Sequence, residues 1–375
     1  MRYLPIVIRI LTAVAGALCM GVLPAEPPQA GPPQANPAQP DPPQANPPLA
    51  GPPRPPPPVA QPTGRSLVAY AHDPRAMDGF DENPATTRRM VDALVRTVTG
   101  RAGTAAAWRE LAGPDDCVGI KVKAAGGIYF STRRGVVAAV VAGLREAGVK
   151  RIIVWDRDSA ALRASGFTSE RLGCEVRGID PPRGWDRASS FQSPALGKLI
   201  WGDLLFNEKI LASSENLLSS KSHLCTILSH DVTRFINIPA LSDEPGCGVG
   251  GALHSAVVGN LDNWRRFTVF GESGASAIAD CYADPRIGGK CVLHILDALA
   301  VTYAGGPGPN PQNSTIHNTL YASHDPVALD AIGLRLLEKW RARSNLGPIG
   351  TKAAWLQGAN CGNADEKMII LSPSR

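Results

Sequence analysis

The amino-acid sequence predicts an α/β protein, with a mostly parallel sheet covered by helices on both faces and room for a smaller inserted lobe. Two segments, residues 117–122 and 151–155, are apolar throughout, which is typical of strands buried on both faces. Between them, residues 132–147 repeat apolar side chains at helical spacing. A strand, a helix and a second strand in so short a stretch form a βαβ unit, whose strands pair in parallel through a right-handed crossover.

Length and charge limit the class of protein. With 375 residues, 44% of them hydrophobic and 19% charged, the chain is long enough to bury a sizeable core. Its net charge of +5 is spread along the sequence instead of being gathered in runs of Lys and Arg. Nucleic acid is therefore not an expected partner.

The first 63 residues differ in composition from the rest. Arg2 and Arg9 precede an apolar run at residues 10–23, which is the layout of an export signal and is short for a membrane span. Residues 1–25 are therefore predicted to be a signal peptide or an N-terminal anchor, and residues 26–63 a proline-rich, extended linker. The sequence thus predicts an extracytoplasmic protein that is periplasmic, secreted, or tethered to the membrane or cell envelope by an uncleaved leader. The α/β domain then occupies residues 64–375.

The remaining elements follow from apolar periodicity and from helix start and stop signals. Asp325 followed by Pro326 marks the start of a helix that runs to about residue 343. Thr132 is placed to cap the helix that Gly148 ends. Further helices are predicted at residues 86–99, 105–111, 223–230, 272–282 and 351–356. Further strands are predicted at residues 67–71, 175–179, 234–238, 267–270, 291–298, 317–323 and 368–371, with loop-rich segments at residues 184–206 and 305–311.

Residues 236–263 form the predicted ligand-facing turn, with an apolar strand, a glycine-rich loop and a helix of small residues. Gly248, Gly250 and Gly251 permit backbone conformations and close approaches that side chains forbid. Free N–H groups at the start of the following helix favour an anion at this point. Gly246, Gly248 and Gly251 also match the spacing of a dinucleotide-binding turn, but the first glycine is separated from the strand, which argues against a dinucleotide site.

Charged side chains are predicted to converge at one end of the sheet, because ligands of parallel sheets bind beyond the carboxyl ends of the strands. Lys121 and Lys123 follow one apolar strand, and Asp156 follows the next. Asp330 lies one turn into an apolar helix, where a carboxylate needs a partner. The predicted ligand-binding set is Lys121, Lys123, Asp156, Asp243, Gly248, Gly250, Gly251, His254, Asp297 and Asp330. The sequence does not identify a catalytic residue, and the G-x-S-x-G motif of many hydrolases is absent.

Cysteines and histidines define a second kind of candidate site. Of eight cysteines, seven follow the leader, and their spacing includes no C-x-x-C pair, so an iron–sulfur cluster is not expected. An oxidising compartment favours one or two disulfides, and the other cysteines then act as small buried apolar residues. A divalent metal is the alternative ligand, with His254, Asp297 and Asp325 as its candidate ligands. His294 alternates with apolar residues and is predicted to be a hydrogen-bonded core histidine.

Six segments occur here in a familiar order: CVGIKV, TRRGVVAAVVAGLREAGVKRIIVWDR, FINIPAL before the glycines, HILDAL, GGPGPNP and LYASHDPVALDAIG. Together they resemble an uncharacterised α/β family, the domain of unknown function numbered 362. The resemblance covers about residues 66–371. It implies an α/β domain that is often exported and that in some relatives is fused to ferredoxin-like domains. Asp297, Asp325 and Asp330 match the family pattern as they stand.

The sequence departs from that family in its central stretch. Ser242 and Glu244 stand where relatives carry Lys and His, and His254 and Ser255 stand where they carry Lys and Asn. The family's Lys-x-Asn after the first buried strand ends here in Lys123. The resemblance therefore implies a divergent member in which Lys121, Lys123 and the start of the helix after the glycines partly offset the two lost cations.

These observations predict an exported α/β protein that binds a small anionic ligand or cofactor at the carboxyl ends of its strands. They do not decide whether the protein is an enzyme. Two alternatives stay open: a divalent-metal or redox protein that uses His254 and nearby aspartates, and a non-enzymatic surface scaffold presented by the proline-rich linker.

Overall fold

The structure is a computed structural model that describes residues 64–180, 184–192, 199–200, 218–219, 221–269 and 272–374. The predicted leader and proline-rich linker lie outside these residues. Across the described ranges, no helix has the length and apolar character needed to cross a membrane.

Ten strands form the main sheet and are numbered in chain order. They are β1 (Ser66–His72), β2 (Cys117–Val122), β3 (Arg151–Asp156), β4 (Glu175–Gly178), β5 (Arg234–Ile238), β6 (Ala240–Glu244), β7 (Gly248–Gly250), β8 (Cys291–Thr302), β9 (Ser314–Ser323) and β10 (Ile369–Pro373). The strand order is β10-β1-β9-β8-β5-β2-β3-β4. β6 pairs with β8, and β7 pairs with β6 as the second strand of a hairpin.

Most of the sheet is parallel. Parallel pairs run from β8 through β5, β2 and β3 to β4, which confirms the predicted fold class. β9 is antiparallel to both of its neighbours, β8 and β1. β10 pairs in parallel with β1 at one edge. The βαβ unit predicted from the sequence is formed by β2 and β3, with Ile120 opposite Val154.

The α-helices that the structure describes are α1 (Pro84–Thr99), α2 (Thr104–Leu111), α3 (Gly127–Phe130), α4 (Arg134–Glu146), α5 (Ser159–Ala164), α6 (Ser169–Leu172), α7 (Ala252–Val257), α8 (Arg266–Val269), α9 (Glu272–Tyr282) and α10 (Pro326–Arg343). Short 3₁₀ helices lie at Val258–Asn260, Gly288–Lys290, Pro311–Asn313, Gly350–Gly358 and Glu366–Met368. The start of α10 is as predicted, because Asp325 Oδ1 accepts a hydrogen bond from Ala328 N at 3.0 Å.

Both faces of the sheet are buried because its strands alternate apolar side chains between two cores. In β3, Ile152 and Val154 join one core, whereas Ile153 and Trp155 join the other. Helices α1, α2 and α4 cover the first face, and α7, α9 and α10 cover the second. The carboxyl ends of the parallel strands are therefore the part of the sheet where polar side chains can collect.

Two segments have a different secondary structure from the one predicted. Residues 223–230 are not a helix, because Lys221–Cys225 is a strand paired with Trp185–Gln192, and a π-helical turn follows at Ile227–Asp231. Residues 267–269 of the strand predicted at 267–270 are helical, because they belong to α8, and residue 270 lies outside the described residues. Both are short segments, in which periodicity does not separate helix from strand. The Trp185–Gln192 strand also falls within the segment predicted to be loop-rich, and with Lys221–Cys225 it forms a two-stranded ribbon outside the main sheet.

Thr132 does not cap α4, contrary to the sequence prediction. Arg133 is the N-cap residue, and its side chain makes no capping hydrogen bond. The Thr132 hydroxyl instead donates to Ile238 O at 2.6 Å and accepts from Lys123 N at 2.9 Å. Thr132 therefore ties the loop after β2 to the end of β5.

Candidate functional site

Lys121 and Asp156 form a buried ion pair at the carboxyl ends of β2 and β3. Lys121 Nζ lies 2.7 Å from Asp156 Oδ1, and Lys121 is 2% exposed. The same Nζ donates to Val122 O at 2.8 Å, while Asp156 Oδ2 accepts from Ala124 N at 2.7 Å. Both charges are compensated, so the pair holds the loop after β2 against the end of β3.

Arg157 connects this end of the sheet to the segment after α7. Its Nη1 donates to Val258 O and Leu261 O, each at 2.8 Å. Its guanidinium group also lies over the rings of Trp185 and Trp264, at 5.2 and 5.8 Å from their centroids. Arg157 is therefore a positive charge fixed close to the predicted site.

The glycine-rich loop is a β-hairpin of β6 and β7, in which Ser242 lies opposite Gly250 and Glu244 lies opposite Gly248. This hairpin brings Ser242 to Lys123, whose Nζ donates to Ser242 Oγ at 2.7 Å. Within the part of the chain that the structure describes, no carboxylate lies within ion-pairing distance of Lys123 Nζ. Lys123 is partly buried.

The surroundings of Lys123 lower the pKa of its ammonium group. Burial lowers the pKa of the Lys123 ammonium group to about 8. The negative charges of Glu244, Asp243 and Asp156 act in the opposite direction. The ammonium group is therefore the main form at neutral pH, and the neutral amine becomes an appreciable fraction near pH 8.

His254 lies on α7 and faces Glu244, with 3.8 Å between Nε2 and Oε2, which is too long for a hydrogen bond. His254 Nε2 is buried and has no hydrogen-bond partner among the described residues. Burial lowers the pKa of His254 to about 3. The positive charges of Lys123, Lys121 and Arg157 act in the same direction, so the imidazole is neutral. Lys123, Ser242, Glu244 and His254 are called the Lys123 cluster below.

The start of α7 is not open to a ligand, because Asp330 occupies it. Asp330 Oδ1 accepts from Ala252 N at 2.5 Å, and Oδ2 accepts from Leu253 N at 3.0 Å. Asp330 is fully buried, and a Cβ at Gly251 would lie 2.1 Å from its Oδ1. The expectation that these N–H groups bind an external anion is therefore wrong, since the carboxyl group of Asp330, on α10, already accepts from both of them.

Two more predicted site residues, Asp297 and Asp243, accept hydrogen bonds from backbone N–H groups. Asp297 Oδ2 accepts from Arg133 N at 2.7 Å, at the start of α4, and burial raises the pKa of Asp297. Asp243 accepts from Gly305 N at 3.0 Å and Gly306 N at 2.6 Å, which fixes the loop before β9. Neither carboxylate is left without partners, so both are accounted for by the fold.

Asp325 joins three distant segments. Besides capping α10, it accepts from Ser66 Oγ at 2.5 Å and from Asn363 N at 2.8 Å. Asp325 thus contacts Ser66 and Asn363, Asp297 contacts Arg133, and His254 faces Glu244, so the three candidate metal ligands are engaged in different places. Across the described ranges, no group of three or more His, Cys, Asp or Glu side chains is arranged to hold a metal ion.

The seven cysteines that follow the predicted leader are all free thiols, and six of them are buried. The expectation of one or two disulfides is therefore wrong for these cysteines. Burial raises the pKa of Cys225 to about 11 and that of Cys281 to about 12, which disfavours the reactive thiolate. His294 is a hydrogen-bonded core residue, as predicted, with Tyr282 OH 2.7 Å from Nε2 and Asn237 Nδ2 3.0 Å from Nδ1.

The structure therefore separates the predicted set into two groups. Lys121, Lys123, Asp156, Asp243 and His254 lie close enough for their charges to act on one another, with Gly250 beside Ser242. Gly248, Gly251, Asp297 and Asp330 serve packing and helix capping elsewhere. A surface pocket lined by Asp280 and Trp355, between α9 and the Gly350–Gly358 helix, includes none of the predicted set.

Ser242 and Glu244 belong to the site but were not in the set predicted from the sequence. Ser242 and Glu244 flank Asp243 in a short polar run directly after a buried strand. That run is the signal that points to them. No pattern in the sequence shows that the run folds back onto Lys123.

A sheet with helices on both faces and a polar cluster at the carboxyl ends of its parallel strands defines an α/β domain with a candidate small-molecule site. Residues 118–335, more than half of the chain, match the family described as Domain of unknown function (DUF362). The protein belongs to this family, which confirms the resemblance seen in the sequence.

The chain was also compared with curated proteins and with solved structures. No curated protein matches the chain. A crystal structure of a protein from Thermotoga maritima is similar, with 12% sequence identity and a TM-score of 0.40. The match covers 72% of this chain and 61% of that one, so this chain spans less than two thirds of the length of the other protein.

Proposed function

We propose that the protein binds a small anionic ligand at the Lys123 cluster. The observation that carries the proposal is a pair of incompletely partnered polar groups. In the described ranges Lys123 Nζ has no carboxylate within ion-pairing distance, and His254 Nε2 is buried without a hydrogen-bond partner. Buried polar groups without partners destabilise a protein, and an anion with several oxygen acceptors is a partner for both.

The negative charges near Lys123 are the main argument against an anion. Asp243, however, is already engaged by two backbone N–H groups. Burial raises the pKa of Glu244, so an approaching anion favours its neutral form, which can donate a hydrogen bond. The position also supports the proposal, because ligands of open α/β sheets bind at the carboxyl ends of the strands.

Calorimetric titration and thermal-shift measurements with inorganic phosphate and small mono- and dicarboxylates test the proposal. Lys123→Met removes the charge and keeps the aliphatic stem. We expect this variant to bind phosphate about tenfold more weakly at pH 7, a loss of about 1.4 kcal/mol. Lys150→Met, which changes an exposed lysine, is the matched control and is expected to bind like the wild type.

Two results would count against an anion site. The first is a wild-type protein whose melting temperature no tested anion raises, since a bound ligand stabilises the folded state by mass action. The second is an equal loss of affinity in Lys150→Met and Lys123→Met, which would indicate a non-specific charge effect.

The composition of residues 1–63 supports a second proposal, that the protein acts outside the cytoplasm. It is exported or tethered to the cell envelope through its N-terminus. Fractionation of cells that express the full chain tests this proposal, and recovery of the protein in the cytoplasmic fraction alone would reject it.

A further inference from the structure

We infer that Ser242 is a nucleophile activated by Lys123, and that the Lys123 cluster catalyses acyl transfer from an ester or amide that carries an anionic group. The inference rests on the proposed function only for the anionic group of the substrate. A hydroxyl and a basic side chain within about 2.6–3.2 Å of each other are the structural signature of an activated nucleophile. The distance between Lys123 Nζ and Ser242 Oγ is 2.7 Å.

The backbone of both members of the pair is held in place by hydrogen bonds. Ser242 lies within β6 and pairs with Gly250 on one side and Thr302 on the other. Lys123 exchanges two hydrogen bonds with Thr132: its N donates to Thr132 Oγ1, and its O accepts from Thr132 N, each at 2.9 Å. A nucleophile and base fixed by rigid elements in this way need little reorganisation when a substrate binds.

Lys123 is suited to accept the proton of Ser242. A lysine of ordinary pKa is almost fully protonated at neutral pH and is a poor general base. Burial lowers the pKa of Lys123 to about 8, so a useful fraction of the amine is neutral between pH 7 and pH 9. The charged and titratable groups around it are Asp243 and Glu244 of β6, Asp156 of β3, Lys121 of β2 and His254 of α7.

The backbone of Gly250, opposite Ser242, packs closely against the hydroxyl. A Cβ at position 250 would lie 2.8 Å from Ser242 Oγ, so any side chain there would press on the nucleophile. Ser242 itself is 2% exposed, which shields Oγ from bulk water. A substrate carbonyl therefore approaches from the side of Lys123 and His254, both of which are partly exposed.

The reaction balances with water as the only co-reactant. Ser242 Oγ attacks the carbonyl carbon, an Oγ–C bond forms, and the hydroxyl proton passes to Lys123 Nζ. The bond to the leaving oxygen or nitrogen then breaks, and the leaving group takes that proton from Nζ. Water then attacks the carbonyl carbon of the acyl-serine and gives a proton to Lys123 Nζ, and a new C–O bond forms. The bond between that carbon and Ser242 Oγ breaks, Oγ takes the proton from Lys123, and the carboxylic acid product is released.

Covalent labelling of the full chain tests this inference. A fluorophosphonate and phenylmethanesulfonyl fluoride each form a bond to a nucleophilic serine oxygen and release fluoride. We expect one adduct in the wild type, mapped to Ser242 by peptide mass and absent in Ser242→Ala. Ser276→Ala, an exposed serine of α9, is the control and is expected to label normally.

The Lys123→Arg variant distinguishes the role of Lys123 as a base from the role of its positive charge. An arginine keeps the positive charge but does not lose a proton at accessible pH, so labelling is expected to slow by about 100-fold or more. In the wild type the labelling rate is expected to rise with pH, with a midpoint near 8. Melting temperatures show whether each variant is folded, and Ser242→Ala and Lys123→Arg test the pair independently of each other.

The outcomes also separate this inference from the proposed function. The assignment of Ser242 as a nucleophile is overturned if neither reagent forms an adduct at Ser242. It is also overturned if a folded Lys123→Arg variant is labelled at the wild-type rate. Labelling of Ser242 that depends on Lys123, in a protein that binds no anion, rejects the anion site and supports the nucleophile.

Discussion

Asp330 caps helix α7 from a position 78 residues away, with its Oδ1 2.5 Å from Ala252 N. The carboxylate fills the place that an anionic ligand takes at a glycine-rich helix start. The glycine at 251 is therefore explained by close packing against Asp330 and not by ligand binding. The candidate ligand site in this region is instead the Lys123 cluster.

Gly251→Ala is expected to destabilise the protein by about 1–3 kcal/mol. The added Cβ would lie 2.1 Å from Asp330 Oδ1, and the carboxyl group is fully buried and held by two amides. Urea unfolding measures the loss. Gly347→Ala is the control, because no atom lies within 4 Å of the added carbon, and it is expected to change stability by less than about 0.5 kcal/mol. Similar stabilities of the two variants would show that Asp330 does not pack against residue 251 in this way.

Asp330 is also expected to make stability depend on pH. Burial raises the pKa of Asp330 from 3.8 to about 7, and nearby Asp325 acts in the same direction. Between these values the folded state keeps a proton that the unfolded state has released. The contribution of Asp330 to stability is therefore fully present below about pH 4 and decreases, by up to about 1.4 kcal/mol per pH unit, as the pH rises to 7.

Unfolding of the wild type and of Asp330→Asn at several pH values between 5 and 8 checks this dependence. The asparagine side chain does not titrate. The stability of the wild type relative to the variant should therefore fall as the pH rises and level off above pH 7. A difference that stays constant over this range would indicate that Asp330 does not titrate there.

Asp243→Ala is expected to loosen the loop at residues 305–311 without weakening phosphate binding. The variant loses the carboxylate that holds the amides of Gly305 and Gly306. Hydrogen exchange of these two amides should become about tenfold faster or more, because local opening requires less free energy. Removal of a negative charge near Lys123 does not disfavour an anion. Asp115→Ala, at an exposed position, is the control. Weaker phosphate binding in Asp243→Ala would contradict the prediction, because it would show that Asp243 contacts the ligand.

The cysteines of the α/β domain are expected to react as free thiols once the protein unfolds. Alkylation in guanidinium chloride without a reductant should modify Cys117, Cys174, Cys225, Cys247, Cys281, Cys291 and Cys361, as shown by peptide mapping. In the folded protein the same reaction should be slow, because burial hides these thiols and raises their pKa. Any pair that resists alkylation until a reductant is added would reveal a disulfide.

The elements that could be predicted from the sequence are those whose cause is local. Asp325 and Pro326 start α10 because capping and backbone geometry act within one turn. The apolar runs of β2 and β3 predicted a parallel sheet because strands buried on both faces have no polar side. The same argument placed Lys121, Lys123 and Asp156 at one end of that sheet.

The parts that could not be predicted depend on contacts between distant residues. Gly251 and Asp330 fit together only because α10 packs against α7, which no local pattern encodes. Ser242 and Lys123 are separated by 119 positions. A serine in a short polar run has no periodicity that reveals its partner. The aspartates of the predicted set therefore look alike in the sequence, although some cap helices and others face the Lys123 cluster.

The three contacts of Asp325 also affect when the domain can be completed during protein synthesis. Asn363 Nδ2 lies 2.7 Å from Ser66 Oγ, so residues 297 positions apart meet at this carboxylate. The first strand leaves the ribosome long before Asp325 and Asn363 have been translated. That edge of the sheet can therefore close only after Asn363 has emerged, and until then the nascent chain exposes an unpaired strand to chaperones and to aggregation.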